Sequence, residues 1–171
     1  MKHTISVLVE NKFGVLARIS GLFSARGFNI SSLAVGETED PSVSRMTIVV
    51  QGDDKTLEQI KKQLNKLIDV IKVVDYKEGA FLDRELIMIK VAVSPKTRKE
   101  ILEAIESSGA KIESAGARSL CVEATGDQTK VKTLLELLRP FGLLEVVRTG
   151  RVAMDMTDKG FKAEGKPEVN E

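Results

Sequence analysis

Glu10-Asn-Lys-Phe-Gly-Val-Leu-Ala-Arg-Ile-Ser-Gly-Leu-Phe-Ser-Ala-Arg-Gly-Phe-Asn-Ile30 carries one strand into a helix and that helix into a second strand. The run before it, Thr4 to Val9, is short and rich in β-branched residues, as a strand requires. Asn11 to Gly14 form a polar turn. Val15, Leu16, Ile19, Leu22 and Phe23 then recur at i, i+1, i+4, i+7 and i+8, which makes one apolar face of a helix. Gly27 is expected to close that helix as a left-handed cap, and Asn29 to open the next strand. The free N–H groups of the helix start, with no Cβ at Gly14, form a polar cradle suited to a carboxylate. Asn11 and Asn29 are read as flanking it with amides able to donate and accept.

Outward from this stretch the pattern continues and then repeats. Strands are expected at Asn29–Glu37 and Ser44–Gln51, followed by a helix with Asp54 as N-cap and a buried stripe of Leu57, Ile60, Leu64, Leu67 and Ile68. A strand over Val70–Lys77 completes a βαββαβ unit. The second half has the same order. It comprises a strand Leu86–Val93, an N-cap at Ser94-Pro95, a helix face of Ile101, Leu102 and Ile105, and a stop at Gly109. A hairpin of Lys111–Ala115 and Ser119–Thr125 follows. A helix with Val131, Leu134, Leu135 and Leu138 is stopped by Pro140, and the last strand, Leu144–Val152, is interrupted by Gly150. Gly27 matches Gly109 and Gly52 matches Gly126. The longer spacing in the first copy is the acidic loop Glu37–Val43. The fold class is therefore α+β, two consecutive ferredoxin-like βαββαβ domains, over residues 1–78 and 79–157. The joint falls near Glu78–Asp83, and residues 158–171 are a polar tail expected to be disordered.

Composition removes several function classes. Of 171 residues, 26 are Lys or Arg and 25 Asp or Glu, so no overall field attracts nucleic acid or anionic lipid. A single cysteine, Cys121, excludes an internal disulfide and suits a reducing cytoplasm. Between Leu120 and Val122 it reads as a buried, inert thiol in a strand. His3 is the only histidine and sits in the first strand, where a surface role is expected. No apolar run reaches membrane-spanning length.

Fold alone assigns no function, because βαββαβ units bind RNA, carry metals, cleave acyl phosphates or sense ligands. RNA binding needs aromatics on the central strands, and Thr4–Glu10 and Ser44–Gln51 contain none. A metallochaperone needs Cys-x-x-Cys, which is absent, and the first turn lacks the arginine of a small acylphosphatase. Gly52-Asp53 and Gly126-Asp127 read as helix caps rather than phosphate or thiamine diphosphate contacts. No clustered carboxylates, Ser-His pair or dinucleotide motif supports catalysis, and no metal site is expected. On the residues alone, effector binding and structural punctuation account for Asn11, Gly14 and Asn29 equally well.

The motifs add a resemblance. Asn-x-x-Gly-Val-Leu (11–16) at a strand-to-helix turn, Arg-Gly-x-Asn-Ile (26–30), Asp40-Pro41 followed by Ser44–Ile48, and the helix 57–67 together resemble the regulatory (small) subunits of acetohydroxyacid synthase, or acetolactate synthase. The likeness is specific over residues 1 to about 90 and looser to about Met154. It implies that the first unit is an ACT domain that dimerises with sheets side by side. It also implies a cytoplasmic, non-catalytic subunit that activates a separate large catalytic chain and confers feedback by valine or a related branched-chain amino acid. Effector contacts would come from Asn11, Gly14, Val15, Leu16, Asn29 and Ile30. Arg18 and Arg26, on the polar helix face, read instead as solvated or subunit-contact residues. The resemblance places thiamine diphosphate, Mg and FAD on the large subunit and no cofactor on this chain. A stand-alone amino-acid sensor acting on another enzyme or regulator is the alternative, and a small enzyme on a ferredoxin-like scaffold is the third.

Overall fold

The computed structural model describes residues 1–76 and 81–157. Both βαββαβ units are present. The first runs β1 (Lys2–Glu10), α1 (Val15–Ser24), β2 (Ile30–Glu37), β3 (Val43–Gln51), α2 (Asp54–Leu64) and β4 (Val70–Tyr76). The second runs β5 (Phe81–Ala92), α3 (Arg98–Ser108), β6 (Lys111–Ala115), β7 (Ser119–Gly126), α4 (Gln128–Leu138), a 3-10 turn (Arg139–Phe141), β8 (Leu143–Arg148) and β9 (Val152–Asp155). The last expected strand is thus split at Gly150. Among the described residues the chain divides into two compact units, residues 1–82 with 153–157, and Asp83–Val152. The first half of the expected joint (residues 78–80) and the polar tail (158–171) lie outside the described residues.

In the first sheet the order is β2-β3-β1-β4, with every pair antiparallel. Ile5, Val7 and Val9 of β1 face the helices with Met46, Ile48 and Val50 of β3, and meet Val15, Ile19, Leu22 and Phe23 of α1 and Leu57, Ile60 and Leu64 of α2. Each fully buried Ile, Leu or Phe contributes about 1.5–3 kcal/mol, so this cluster carries the unit. The opposite face is buried as well at Thr4, Ser6, Leu8, Thr47 and Val49. The two central strands, β1 and β3, carry no Phe, Tyr or Trp on which a nucleic-acid base could stack. In the second sheet the order is β6-β7-β5-β8, and β9 also pairs with β5. Its core is Ile87, Ile89 and Val91, with Ile101, Ile105, Leu120, Val122, Val131, Leu134 and Leu138.

Several local expectations are corrected. Leu16 is 45% exposed and Leu102 is 37% exposed, because each falls just off the stripe set by its neighbours at i−1 and i+3. Ile68 is 83% exposed, since α2 closes at Leu64 and Ile68 lies in the turn beyond it. The N-cap of α2 is Asp53, not Asp54. Asp53 has extended backbone angles, and its carboxylate accepts from Thr56 N at 2.8 Å. Cys121 is half-buried rather than buried, because period-two alternation turns Leu120 and Val122 to the core and Cys121 to the other face.

The two Gly-Asp pairs are structural. Asp127 caps α4 as Asp53 caps α2, accepting from Lys130 N at 2.8 Å. A Cβ at Gly52 would lie 2.7 Å from Thr56 Cγ2, so the first turn of the helix packs directly on the glycine. Close packing explains glycine there without any bound phosphate.

Candidate functional site

β1 ends at Glu10, and the chain turns through Asn11–Gly14 into α1. Gly14 is the N-cap residue with φ of 81°, a left-handed conformation that costs other residues roughly 1–2 kcal/mol. No side chain caps the helix. Val15 N reaches Lys12 O at 3.4 Å, and Arg18 N donates to Gly14 O at 2.9 Å. Among the described residues the N–H groups of Leu16 and Ala17 have no acceptor. They carry the positive end of the α1 dipole.

The turn is held from several sides. Asn11 N donates to Ser42 O at 2.6 Å, and Asn11 Nδ2 donates to Glu37 Oε1 at 3.0 Å and to Pro41 O at 2.9 Å. Two acceptors at Nδ2 fix which end of the amide is nitrogen. Both amide protons are engaged, which leaves Oδ1 as an acceptor. The acidic loop is braced internally: Asp40 Oδ1 accepts from Ser42 N at 2.9 Å and Ser42 Oγ at 2.7 Å, which holds the Asp40 carboxyl below its ordinary range. Lys12 pairs with Glu10 at 2.9 Å, and that bond raises its pKa, with a smaller push from the charge of Asp69.

Sequence reasoning missed the role of Arg18 at this turn. Its Nη2 lies 2.7 Å from Oδ2 of Asp69, a nearly buried residue just before β4, so it is an ion-paired residue and not a freely solvated one. Its Nη1 would stand 3.5 Å from a Cβ on Gly14. Only the i,i+4 spacing of Gly14 and Arg18 hinted at this, since the partner is far along the chain. Arg26, at the other end of α1, donates to Gln63 Oε1 of α2 at 2.8 Å.

The expected site residues do not all converge in one chain. Gly14 and the amides after it are together with Asn11. Val15 is buried in the core, so only its backbone faces the turn, and the Leu16 side chain is exposed. Asn29 and Ile30 lie beyond the other end of α1, a helix of 10 residues and so about 15 Å long. Gly27, with φ of 68°, closes that end, where Phe28 N bonds Phe23 O and Gly27 N bonds Ser24 O, the paired bonds of a Schellman cap. Asn29 is exposed, and its side chain makes no hydrogen bond among the described residues. Asn11 and Asn29 therefore flank the helix, not the cradle. Among the described residues no three of His, Cys, Asp and Glu gather as a metal site, and no helix is long and apolar enough to cross a membrane.

A βαββαβ sheet with an uncapped helix start after its first strand has the architecture of an ACT domain, here followed by a second ferredoxin-like unit. A profile described as "AHAS small subunit-like ACT domain" matches residues 5–72, and one described as "Small subunit of acetolactate synthase" matches residues 84–157. The probable acetolactate synthase small subunit of Archaeoglobus fulgidus is 54% identical over 154 residues, covering 90% of this chain and 96% of that one. The small subunit of Mycolicibacterium smegmatis is 52% identical over 161 residues, covering 94% and 95%. The crystal structure of the Thermotoga maritima small subunit superposes with a TM-score of 0.85 at 41% identity, covering 92% of this chain and 99% of that one. The chain belongs to the acetolactate synthase small-subunit family.

Proposed function

We propose that this chain is the regulatory subunit of an acetolactate synthase: it activates a separate thiamine-diphosphate-dependent catalytic chain and makes it sensitive to valine. Family membership over nearly the whole length supports the assignment, and the open start of α1 is the observation that carries the ligand reading. An effector carboxylate would lie on the N–H groups after Gly14, and the free Oδ1 of Asn11 suits the ammonium group of the same amino acid. The chain itself would perform no catalysis and hold no cofactor. Thiamine diphosphate, Mg and FAD would reside on the catalytic partner, and both would be cytoplasmic.

The site is completed, on this reading, by a second copy. Among the described residues β2 is an edge strand of the first sheet, the position at which a strand of a second copy can add. Two such edges related by a two-fold axis pair antiparallel, so the start of one β2 lies against the end of the other. The end of β2 is Glu37, and Glu37 is hydrogen-bonded to Asn11. Pairing of this kind carries the neighbour's Asn29 and Ile30 toward the Asn11 turn, with Ile30 offering apolar surface to a branched side chain. Feedback then requires only that valine prefer the less activating arrangement, a coupling of about 1–3 kcal/mol.

Reconstitution tests the whole reading. The purified chain alone should form no acetolactate, should stimulate a cognate catalytic subunit, and should make the mixture valine-sensitive. Turnover of pyruvate by the isolated chain that is lost on mutating one of its own residues would sink it.

A further inference from the structure

We propose that Arg18 is a ligand-binding residue of this site, the cation that receives the effector carboxylate, with Asp69 as the positioning residue that holds it there. The inference rests on the effector-site reading above and adds a residue to it. Arg18 lies one turn into α1. Helical side chains lean toward the N-terminus, so the guanidinium returns over the helix entry, with Nη1 3.5 Å from the place a Gly14 Cβ would occupy. Glycine at position 14 thus keeps open both the backbone approach and the space beside this cation.

The guanidinium is planar and presents five donors in a fixed fork. Nη2 is held at 2.7 Å by Asp69, whose side chain is only 11% exposed, whereas Arg18 is 51% exposed. A nearly buried acid on one side fixes the plane and leaves donors on the other side for a second carboxylate. Lys12, the neighbouring cation, is instead drawn onto Glu10. Arg18 and the uncapped amides of Leu16 and Ala17 therefore offer two kinds of donor to one anionic group, the combination that binds a carboxylate most strongly. Asn11 Oδ1 faces the opposite demand. The site has a polarity that fits the zwitterion of a free amino acid and not a neutral or doubly anionic molecule.

The test pairs protein variants with ligand variants in the full-length chain. Valine and valinamide, which lacks the carboxylate, are titrated by calorimetry, the weaker ligand by displacement of the stronger. Wild type should prefer valine. Arg18→Gln should weaken valine by at least roughly tenfold and leave valinamide within about twofold, so the preference collapses. Arg18→Lys, which keeps the charge on Asp69, should lie between. Equal weakening of both ligands by Arg18→Gln, or unchanged valine affinity in a variant whose thermal midpoint shows it folded, overturns the proposal. Failure of the wild type to bind any branched-chain amino acid would instead defeat the effector-site reading, and this assignment with it.

Discussion

The same strand-to-helix junction occurs twice in this molecule, and the two copies end differently. After β1 the helix start is open: Gly14 in a left-handed conformation, no side-chain cap, and amides of α1 without acceptors among the described residues. After β5 the N-cap is Thr97 in a right-handed conformation, again with no side-chain cap, and it is the turn leading into the helix that is braced. Ser94 Oγ accepts from Thr97 N at 3.2 Å, Thr97 Oγ1 accepts from Ser94 N at 3.1 Å, and Ser94 O takes Arg98 N at 3.0 Å. These bonds tie the Ser94–Thr97 turn ahead of the helix; the expected N-cap at Ser94-Pro95 is corrected to Thr97, because α3 begins only at Arg98. The second copy braces its entry turn with its own side chains, but its Lys99 and Glu100 amides, like those of Leu16 and Ala17, have no acceptor among the described residues. What sets the first copy apart is a left-handed Gly14 and a guanidinium held beside it by Asp69, and ligand binding is proposed for that copy.

The strongest challenge to that contrast is Gly14→Asp. A side chain at φ of 81° is strained by about 1–2 kcal/mol, and its carboxylate would stand beside Arg18, where the proposed site would take the ligand's carboxylate. Valine inhibition in the reconstituted enzyme should be lost, a shift of at least roughly tenfold, while stimulation of the catalytic subunit persists. Unaltered inhibition would move the site away from the open junction.

Mixed dimers sharpen the same comparison at the subunit level. One subunit carries Asn11→Ala and the other Asn29→Ala. If a site draws one asparagine from each chain, the mixed dimer keeps one undamaged site and one doubly damaged site, so up to half the valine capacity survives at near-native affinity. Both homodimers have only singly damaged sites. Absence of the near-native class in the mixed dimer would place both contacts in one chain.

The Ser94 turn of the second copy should behave as structure alone. Ser94→Ala removes the side-chain acceptor of Thr97 N in the turn before α3 and should cost about 1 kcal/mol, read as a lowered thermal midpoint. Valine affinity should not change. A loss of valine binding with the fold intact would mean the second copy also carries an effector site.

The smallest effect expected is electrostatic. Hydrogen bonds from Thr56 hold the Asp53 carboxyl below its ordinary range in the folded chain. Its folded pKa is depressed, so its contribution is fully present above the unfolded value of about 3.9 and fades as pH falls below that. Asp53→Asn should lower the thermal midpoint slightly at neutral pH and reduce its acid dependence. An identical acid profile in the variant would show that the cap does not depend on ionisation.

How much of this was legible in advance follows the range of each interaction. The repeated βαββαβ order, the faces of α1 and α4 and the left-handed glycine after α1 are properties of residues within a few positions of one another, so periodicity and turn chemistry reveal them. Errors arose at edges of that local logic, such as Leu16 and Ile68, where one residue of offset or an early helix end changes a core side chain into an exposed one. The turn Asn11–Gly14 could likewise be recognised as a candidate site, because an uncapped glycine entry is itself a local signal.

What tertiary structure alone decided is how that turn is wired. Asn11 spends its amide protons on Glu37 and Pro41, Arg18 reaches Asp69, and Asn29 stands at the far end of α1. The alternation of polar and apolar residues does not encode which distant acid a given amide or guanidinium will meet. Those partners are set by sheet order, which brings the loop after β2 and the start of β4 to the same end of β1. Sequence by itself determined that a glycine-led helix entry follows the first strand. The fold determined which donors remain free around it, because hydrogen-bonding capacity left over at a site is whatever the long-range contacts have not already used.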